Sequence, residues 1–416
     1  IGSANIIEAE LEALDALARG SIIYGNASAA TATLTKGDAD QVLTSDGTDI
    51  SWEDAGGGGG EGRMNVARNP HMRHNQRLAA MTGLSGSAEQ FLLDGWEWTW
   101  GVSAQNARWT VTKEANGGVN GKTSWLKAAC TTADATPAAT AISVFRTTME
   151  GHQCGSLLDA NGVGIVTVSF DVIAFAHASS GISFPATASI YIGAMDGTAR
   201  RVAKKFTIAA ASTWERIDVT FIADATAEID NDTGGGFEMA FALDGGSSTA
   251  VPSEGAWLGA SVQRMVGDSD MWADYAGNYV GWTNMDIHAG AARTMVGMSF
   301  EEDKTACFRY YRKNDFTVTN SGFYPCSTES ATHARMVPAF WGPEMRVSPS
   351  ITLTVGTLKY TESNTGRTLS SASIQGGNVL GGRIILTIVG ATIGTPGYID
   401  QPSSSPTGSF VWDAEM

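Results

Sequence analysis

The run Phe237-Glu238-Met239-Ala240-Phe241-Ala242-Leu243 alternates large apolar residues with small or polar ones, and this period of two constrains the fold more than any other feature of the chain. Successive side chains of a strand point to opposite faces, so Phe237, Met239, Phe241 and Leu243 share an inward face and the interleaved residues an outward one. The surrounding sequence repeats the signal. Ser169 to Ala176 reads as an apolar-rich strand, Ala188 to Phe206 as a hairpin turning at Asp196-Gly197, and Trp214 to Ile222 as another strand. Trp96, Trp98 and Trp100 fall on one face of a further strand and read as core. One-sided strands of this kind bury their apolar faces most simply as an antiparallel sandwich.

The composition agrees with a β-rich, turn-rich chain. Over 416 residues only 17% are charged and 49 are glycine, against about 25% charged and about 7% glycine in an average globular protein. Forty-three acidic residues against 27 Lys plus Arg give a formal charge of −16. A field of that sign repels nucleic-acid phosphates and anionic lipid head groups, which argues against nucleic acid as a partner. The four cysteines, Cys130, Cys154, Cys307 and Cys326, show no CxxC spacing and read as buried free thiols rather than a zinc site or disulfide framework. There is no uninterrupted apolar run long enough to span a bilayer and no signal-peptide pattern, so no membrane insertion is expected.

The N-terminal part is organised differently. Residues 5–18 read as a short helix capped by Asn5 with Glu8 three residues on, and Gly20 stands where a left-handed residue would end it. Ile7, Leu11, Leu14 and Ala18 recur at spacings of four, three and four, a coiled-coil seam too short to hold alone. Copies of the same helix are the simplest partners, which points to an oligomer. Residues 21–55 read as a small β stalk, with Asp46-Gly47 turning a hairpin between Gln41 and Trp52. Gly56, Gly57, Gly58, Gly59 and Gly60 then form a linker over residues 56–62 that transmits nothing rigid, so the distal part can pivot. Beyond it, residues 63–313 form the sandwich and residues 314–416 a small C-terminal β domain in which Ile351 to Val355 alternates and Arg383 to Val389 reads as a buried strand. Residues 299–313 read as a helix, acidic at Glu301, Glu302 and Asp303 and basic at Arg309, Arg312 and Lys313. The last 20 residues, rich in Pro and Ser, read as a surface wrap.

Two ends of the sandwich carry a resemblance. Asn69-Pro70-His71-Met72 followed by Phe91-Leu92-Leu93-Asp94-Gly95-Trp96, together with the closing Cys307-Phe308-Arg309-Tyr310-Tyr311, resembles the receptor-binding β-sandwich of bacteriophage tail fibres over about 65–313. The GSIIYG to DISW run resembles short β modules upstream of the distal domains of such fibres, and the Val337 to Ser350 stretch resembles a Pro-Met-Arg-containing segment that follows their Tyr-Tyr motif. The sequence departs from the family at Met285 to Met298, where Asp286-Ile287-His288-Ala289-Gly290 replaces a Gln-Leu-Glu-containing strand. The resemblance implies a mainly β homotrimer with a jelly-roll-like, carbohydrate-binding-module-like sandwich. It implies a virion tail protein assembled in the host cytoplasm, attached to other tail or baseplate proteins through its N-terminal part and binding host surface glycan without catalysis.

Motifs for chemistry are sparse. No nucleophile elbow, zinc-protease motif, P-loop or dinucleotide fingerprint occurs. His71 and His74 lack a third metal ligand nearby, and Asp230-Asn231-Asp232-Thr233-Gly234 begins like a calcium loop but has Phe241 where a bidentate Glu is required, so no metal or cofactor is expected. A glycan-cleaving tail spike needs paired carboxylates, usually on repeating β-helix coils that this chain lacks; that enzyme and a purely structural virion fibre or capsid decoration are the alternatives. Sugars are held by aromatic faces with polar groups on their hydroxyls. The mixed segment Asp270, Trp272, Asp274, Tyr275, Asn278, Tyr279 and Trp282 is therefore the candidate glycan contact, with packing as the competing role of its rings. Arg309, Tyr310 and Tyr311 read as a joint to the C-terminal domain.

Overall fold

The computed structural model describes residues 17–25, 31–37, 41–45, 50–54, 65–77, 80–85, 90–91, 93–100, 106–121, 123–155, 157, 164–224, 226–259, 264–293, 295, 298–316, 325–330, 332–340, 345–346, 349–354, 359–362, 365–375, 381–389, 396–400 and 408–414. The chain divides into two compact units, Ile1–Met64 and Asn65–Met416. In the first, β1 (Ile22–Gly25) pairs with β2 (Thr31–Leu34), and β3 (Gln41–Ser45) pairs antiparallel with β4 (Ile50–Asp54), Ser45 lying opposite Ile50 as the Asp-Gly hairpin predicts. Gly20 has φ of 91°, the left-handed region expected there, while Ala18 sits in a turn, its carbonyl accepting from Ser21 N at 3.0 Å. Ile7, Leu11 and Leu14 of the seam and the five linker glycines lie outside the described residues.

In the second unit, fifteen strands follow in order: β5 (Ala80–Leu84), β6 (Gln90–Phe91), β7 (Glu97–Trp100), β8 (Arg108–Gly117), β9 (Thr123–Thr132), β10 (Ile142–Glu150), β11 (Ile165–Phe175), β12 (Ala186–Ala194), β13 (Arg200–Ile208), β14 (Glu215–Ile222), β15 (Gly235–Gly245), β16 (Ala250–Val251), β17 (Leu258–Gly259), β18 (Met265–Val266) and β19 (Tyr279–Ala289). They form a seven-stranded sheet in the order β17-β13-β12-β15-β10-β7-β6 and a six-stranded sheet in the order β14-β11-β19-β9-β8-β5, with β16 and β18 as a separate pair. The two sheets pack on one apolar core that contains Trp96, Trp98, Trp109, Phe145, Phe170, Phe241 and Trp282, all fully buried. Phe241 stands at the centre, its ring 4.6 Å from Trp282 and 5.0 Å from Phe170. Such aromatic pairs add about 0.5–1.5 kcal/mol beyond area burial.

The strand predicted at Phe237 to Leu243 spans β15 and points the four expected side chains inward. Its other face departs from expectation: Glu238, Ala240 and Ala242 are buried too. The excursion between β15 and β19 folds back over the outer face of this sheet, and Val251, Met265 and Val266 pack there on Ile142, Val144, Tyr191, Ala240 and Ala242. Glu238 survives burial because Arg201 and Arg146 flank it, and Arg146 in turn holds Glu97.

The predicted helix at 299–313 is shorter than its charge pattern suggested. α1 (Phe300–Phe308) begins with a capping box, Ser299 with Glu302, and ends at Arg309; Arg312 and Lys313 belong to β20 (Tyr311–Phe316). The remainder comprises β21 (Pro325–Ser330), β22 (His333–Phe340), β23 (Ser350–Thr354), β24 (Lys359–Glu362), β25 (Thr365–Gln375), β26 (Gly381–Ile388), β27 (Pro396–Asp400) and β28 (Gly408–Asp413). Six of these close into a barrel, β21-β22-β26-β25-β24-β27, whose closure leaves no free edge. β28, in the stretch read as a surface wrap, is instead the central strand of the sheet β20-β28-β23.

The two sequence motifs at the ends of the sandwich meet in space. Asn69, at φ 46°, donates through Nδ2 to the carbonyls of His74 and Asp94 at 2.8 and 3.1 Å, and Trp96 Nε1 donates to Arg68 O at 3.2 Å. The Arg68 guanidinium lies 3.5 Å from the Tyr310 ring centre and that of Arg77 3.8 Å from Tyr311. Arg309 grips the buried carboxylate of Glu150 with two hydrogen bonds of 2.8 and 2.9 Å, and Tyr310 O accepts from Ala414 N at 2.7 Å. The Arg-Tyr-Tyr segment thus joins the sandwich to the C-terminal strands, and Cys130, Cys154 and Cys307 are free and buried.

Candidate functional site

The outer face of the six-stranded sheet carries the polar and aromatic groups that the core has no use for. On β11 the even residues Val166 to Ala174 face the core, so the odd ones face out. The register sets Asp171 beside Arg216 of β14 and Thr283 of β19, and Phe175 beside Tyr279. Opposite Phe170, β19 carries two residues, Asn284 and Met285, in place of one. The extra residue adopts φ of 51° and turns the Asn284 side chain outward to Asp171.

At this end of the face lies a cavity of about 1110 Å³, on the scale of small-ligand sites of about 300–1,000 Å³. Asp171 is its organising group. One carboxylate oxygen accepts from Asn284 Nδ2 at 2.6 Å and from Val119 N at 2.9 Å, and the other from Arg216 Nη1 at 3.3 Å. Gly118, at φ 80°, makes this approach possible, since a Cβ there would stand 2.7 Å from Asn284 Nδ2 and 3.0 Å from Asp171 Oδ2. Asn284 Oδ1 is the only acceptor on its amide, so His71 Nδ1, 2.8 Å away, donates to it and Nε2 is left as an acceptor. Burial lowers the His71 pKa first of all; the Asn284 hydrogen bond works against this and the Arg73 charge with it. Across the cavity Arg293 is bidentate to the buried carboxylate of Asp286 at 3.0 and 3.2 Å. Burial alone would raise the Asp286 pKa, but hydrogen bonds and charge from His288 and Arg293 hold it below the usual carboxylate value.

Beyond the cavity the same face becomes aromatic. Trp125 of β9 lies across Gly281 and meets Trp214 edge-on at 5.3 Å, with Tyr279 at 6.4 Å; Tyr279 stacks on Phe175 at 5.7 Å, and Lys127 Nζ sits 4.4 Å from its ring centre. These side chains are all half-buried. From Asp171 to Phe175 along β11 is about 13 Å at the rise of a strand, so cavity and shelf lie on the same face of the sheet.

The predicted glycan contacts distribute unevenly. Trp272, Asn278 and Trp282 are completely buried, so the two rings serve as core and offer no face to a ligand. Asp270 and Asp274 fasten their loop: Asp270 Oδ2 accepts from Thr187 N and Oγ1 at 2.6 and 2.8 Å, and Asp274 accepts from Gly181 N and Asn278 Nδ2, both at 2.6 Å. Tyr275 stacks on His177 at 4.3 Å, and of the seven only Tyr279 makes a ring contact with Trp125 or Phe175. Trp125, Phe175, Trp214 and the cavity residues were not singled out as glycan contacts, although the alternation of Trp125 and Lys127 with Leu126 and Ala128 is a signal that would place both outward. His71 and His74 reach different partners, Nε2 of His74 lying 3.5 Å from Asp303. Asp232 closes its own turn by accepting from Gly234 N at 2.8 Å. Among the described residues no group of three or more His, Cys, Asp or Glu is placed to hold a metal ion, and no helix is long and apolar enough to cross a membrane.

No family model matches the chain, and no curated protein matches it. Among solved structures it is similar to the enzymatically active domain of bacteriophage CBA120 tailspike protein 4, at 12% identity over 46% of this chain and 19% of that one, with a TM-score of 0.25. It is also similar to a CBM4 structure, at 9% identity over 54% of this chain and 99% of that one, TM-score 0.26. The modules of Clostridium thermocellum xylanase 10B complexed with xylohexaose match at 14% identity over 52% and 30%, TM-score 0.26. The chain is mainly β, an antiparallel sandwich followed by a small barrel.

Proposed function

We propose that this chain is a non-catalytic attachment protein of a bacteriophage tail fibre, carried on the virion as a homotrimer, and that the outer face of its six-stranded sheet binds host surface glycan. The observation that carries the reading is that half-exposed Trp125, Trp214 and Tyr279 share one face of the sheet with a polar cavity. Aromatic faces stack on the C–H patches of sugar rings, and Asn, Asp and Arg groups satisfy the hydroxyls. The virion context rests on the resemblance of the Asn69-Pro70-His71-Met72 and Arg309-Tyr310-Tyr311 segments. A non-catalytic role is supported by Asp171, whose carboxylate already accepts three hydrogen bonds and is poorly placed to serve as acid or nucleophile. Weak contacts repeated on three copies would reach useful avidity through effective concentration.

The test is adsorption of the full chain to host cells, scored beside release of soluble oligosaccharide. Adsorption without release, reduced at least about tenfold in Trp125→Ala, a loss of about 1.4 kcal/mol, supports the reading. Released oligosaccharide favours a depolymerase, and absence of both favours a structural fibre.

A further inference from the structure

The cavity contains three guanidinium groups, and only two have a carboxylate of their own. Arg216 is matched to Asp171 at 3.3 Å and faces Asp218 at 3.9 Å; Arg293 is matched to Asp286 at 3.0 Å. The Arg73 guanidinium lines the cavity without an ion pair or hydrogen bond among the described residues, while its backbone carbonyl accepts from Lys113. Beside it stands His71, whose pKa is lowered by burial and, against the Asn284 hydrogen bond, by the Arg73 charge. The remaining carboxylate nearby, Asp303, is turned to His74. A guanidinium normally finds a planar anion to accept its fork of donors.

We propose that this cavity is a subsite for an acidic sugar, with Arg73 as the counter-charge for a carboxylate, sulfate or phosphate substituent and the Trp125 shelf receiving the adjoining neutral part of the glycan. The proposal rests on the glycan reading above and names its substrate class. Asn284 and Arg216 belong to a preformed network, so the ligand meets donors that need no rearrangement. The chain's net charge of −16 does not forbid this. Exposed charges farther than about 8 Å are screened at physiological salt, whereas a guanidinium in contact with its anion is not.

The test uses the full chain and four soluble probes: D-glucuronate, D-glucose 6-phosphate, D-glucose and inorganic phosphate, titrated by saturation-transfer difference NMR with competition. The two acidic sugars should bind at least about tenfold more tightly than glucose, the equivalent of about 1.4 kcal/mol. In Arg73→Gln that preference should vanish, and Arg73→Lys should retain part of it. Equal binding of acidic and neutral sugars by the wild-type chain overturns the proposal without recourse to any variant. So does an Arg73→Gln chain that keeps the preference. Inorganic phosphate binding as tightly as glucose 6-phosphate would assign the cavity to a free anion and overturn the sugar assignment. The two readings fail separately. Adsorption lost in Trp125→Ala but intact in Arg73→Gln, with no preference for acidic sugars, removes this proposal alone. Acidic-sugar preference with undiminished adsorption in Trp125→Ala removes the shelf reading alone.

Discussion

Asp244 offers a sharp test of how the core is built. Its carboxyl is fully buried on β15, where Oδ2 accepts from Ser143 Oγ at 3.1 Å, and that hydroxyl accepts from Trp109 Nε1 at 2.9 Å. Burial raises its pKa from 3.8 to about 7; the Ser143 hydrogen bond offsets part of this, and the charge of Asp134 adds to it. Between those two values the folded chain binds more protons than the unfolded one. The protonated group therefore supports folding fully below about pH 4, and this support is lost as the pH rises through about 7. A shift of about 3 units at about 1.36 kcal/mol each gives about 4 kcal/mol across that window. Asp244→Asn removes the ionisation while keeping the oxygen that accepts from Ser143. Its amide nitrogen would take the place of an oxygen without a hydrogen-bond partner, a cost of about 1–3 kcal/mol that does not vary with pH. Guanidinium unfolding of both chains from pH 4 to 8 should give a stability difference that moves by about 4 kcal/mol in favour of the variant as pH rises. A difference that stays flat across the range would refute the account of Asp244 as a buried carboxyl kept neutral by its surroundings.

Arg309→Ala strips the completely buried Glu150 of its bidentate partner, leaving the His152 ring nitrogen at 3.2 Å beside it. The loss should be about 3–5 kcal/mol. In an Arg309→Ala, Glu150→Gln double-mutant cycle followed by chemical unfolding, the second change should recover much of it, and additive effects would show that the pair is not coupled. Gly281→Ala would place a methyl group 2.3 Å from the six-membered ring of Trp125, so the ring must leave its seat on β19. Host-cell adsorption should fall with near-ultraviolet circular dichroism of the core retained, and wild-type adsorption would refute the shelf as the binding surface.

The legible and illegible parts of this molecule differ for a physical reason. β15 could be read because Phe237, Met239, Phe241 and Leu243 each report their own burial through a local period of two. The β12–β13 hairpin could be read because Gly197, at φ 57°, sits where the Asp-Gly signal predicts a turn. Burial of Glu238 could not be read, because the Val251 and Met265 that cover its sheet are distant in sequence.

The binding surface obeys the same limit more severely. Clustering along the chain drew attention to Asp270 through Trp282, but a sheet face is assembled across strands, each contributing one outward residue per pair. Hence Tyr279 reaches the shelf with Trp125, Phe175 and Trp214 from three other parts of the chain, whereas its sequence neighbours Asn278 and Trp282 are buried. Period-two reading alone would have found Trp125. It could not have found Asn284, because the extra residue on β19 shifts the alternation between Trp282 and Met285, both of which face the core. That shift brings Asn284 onto Asp171 and His71 onto Asn284, so the geometry of the cavity depends on an irregularity that strand periodicity, by construction, leaves out.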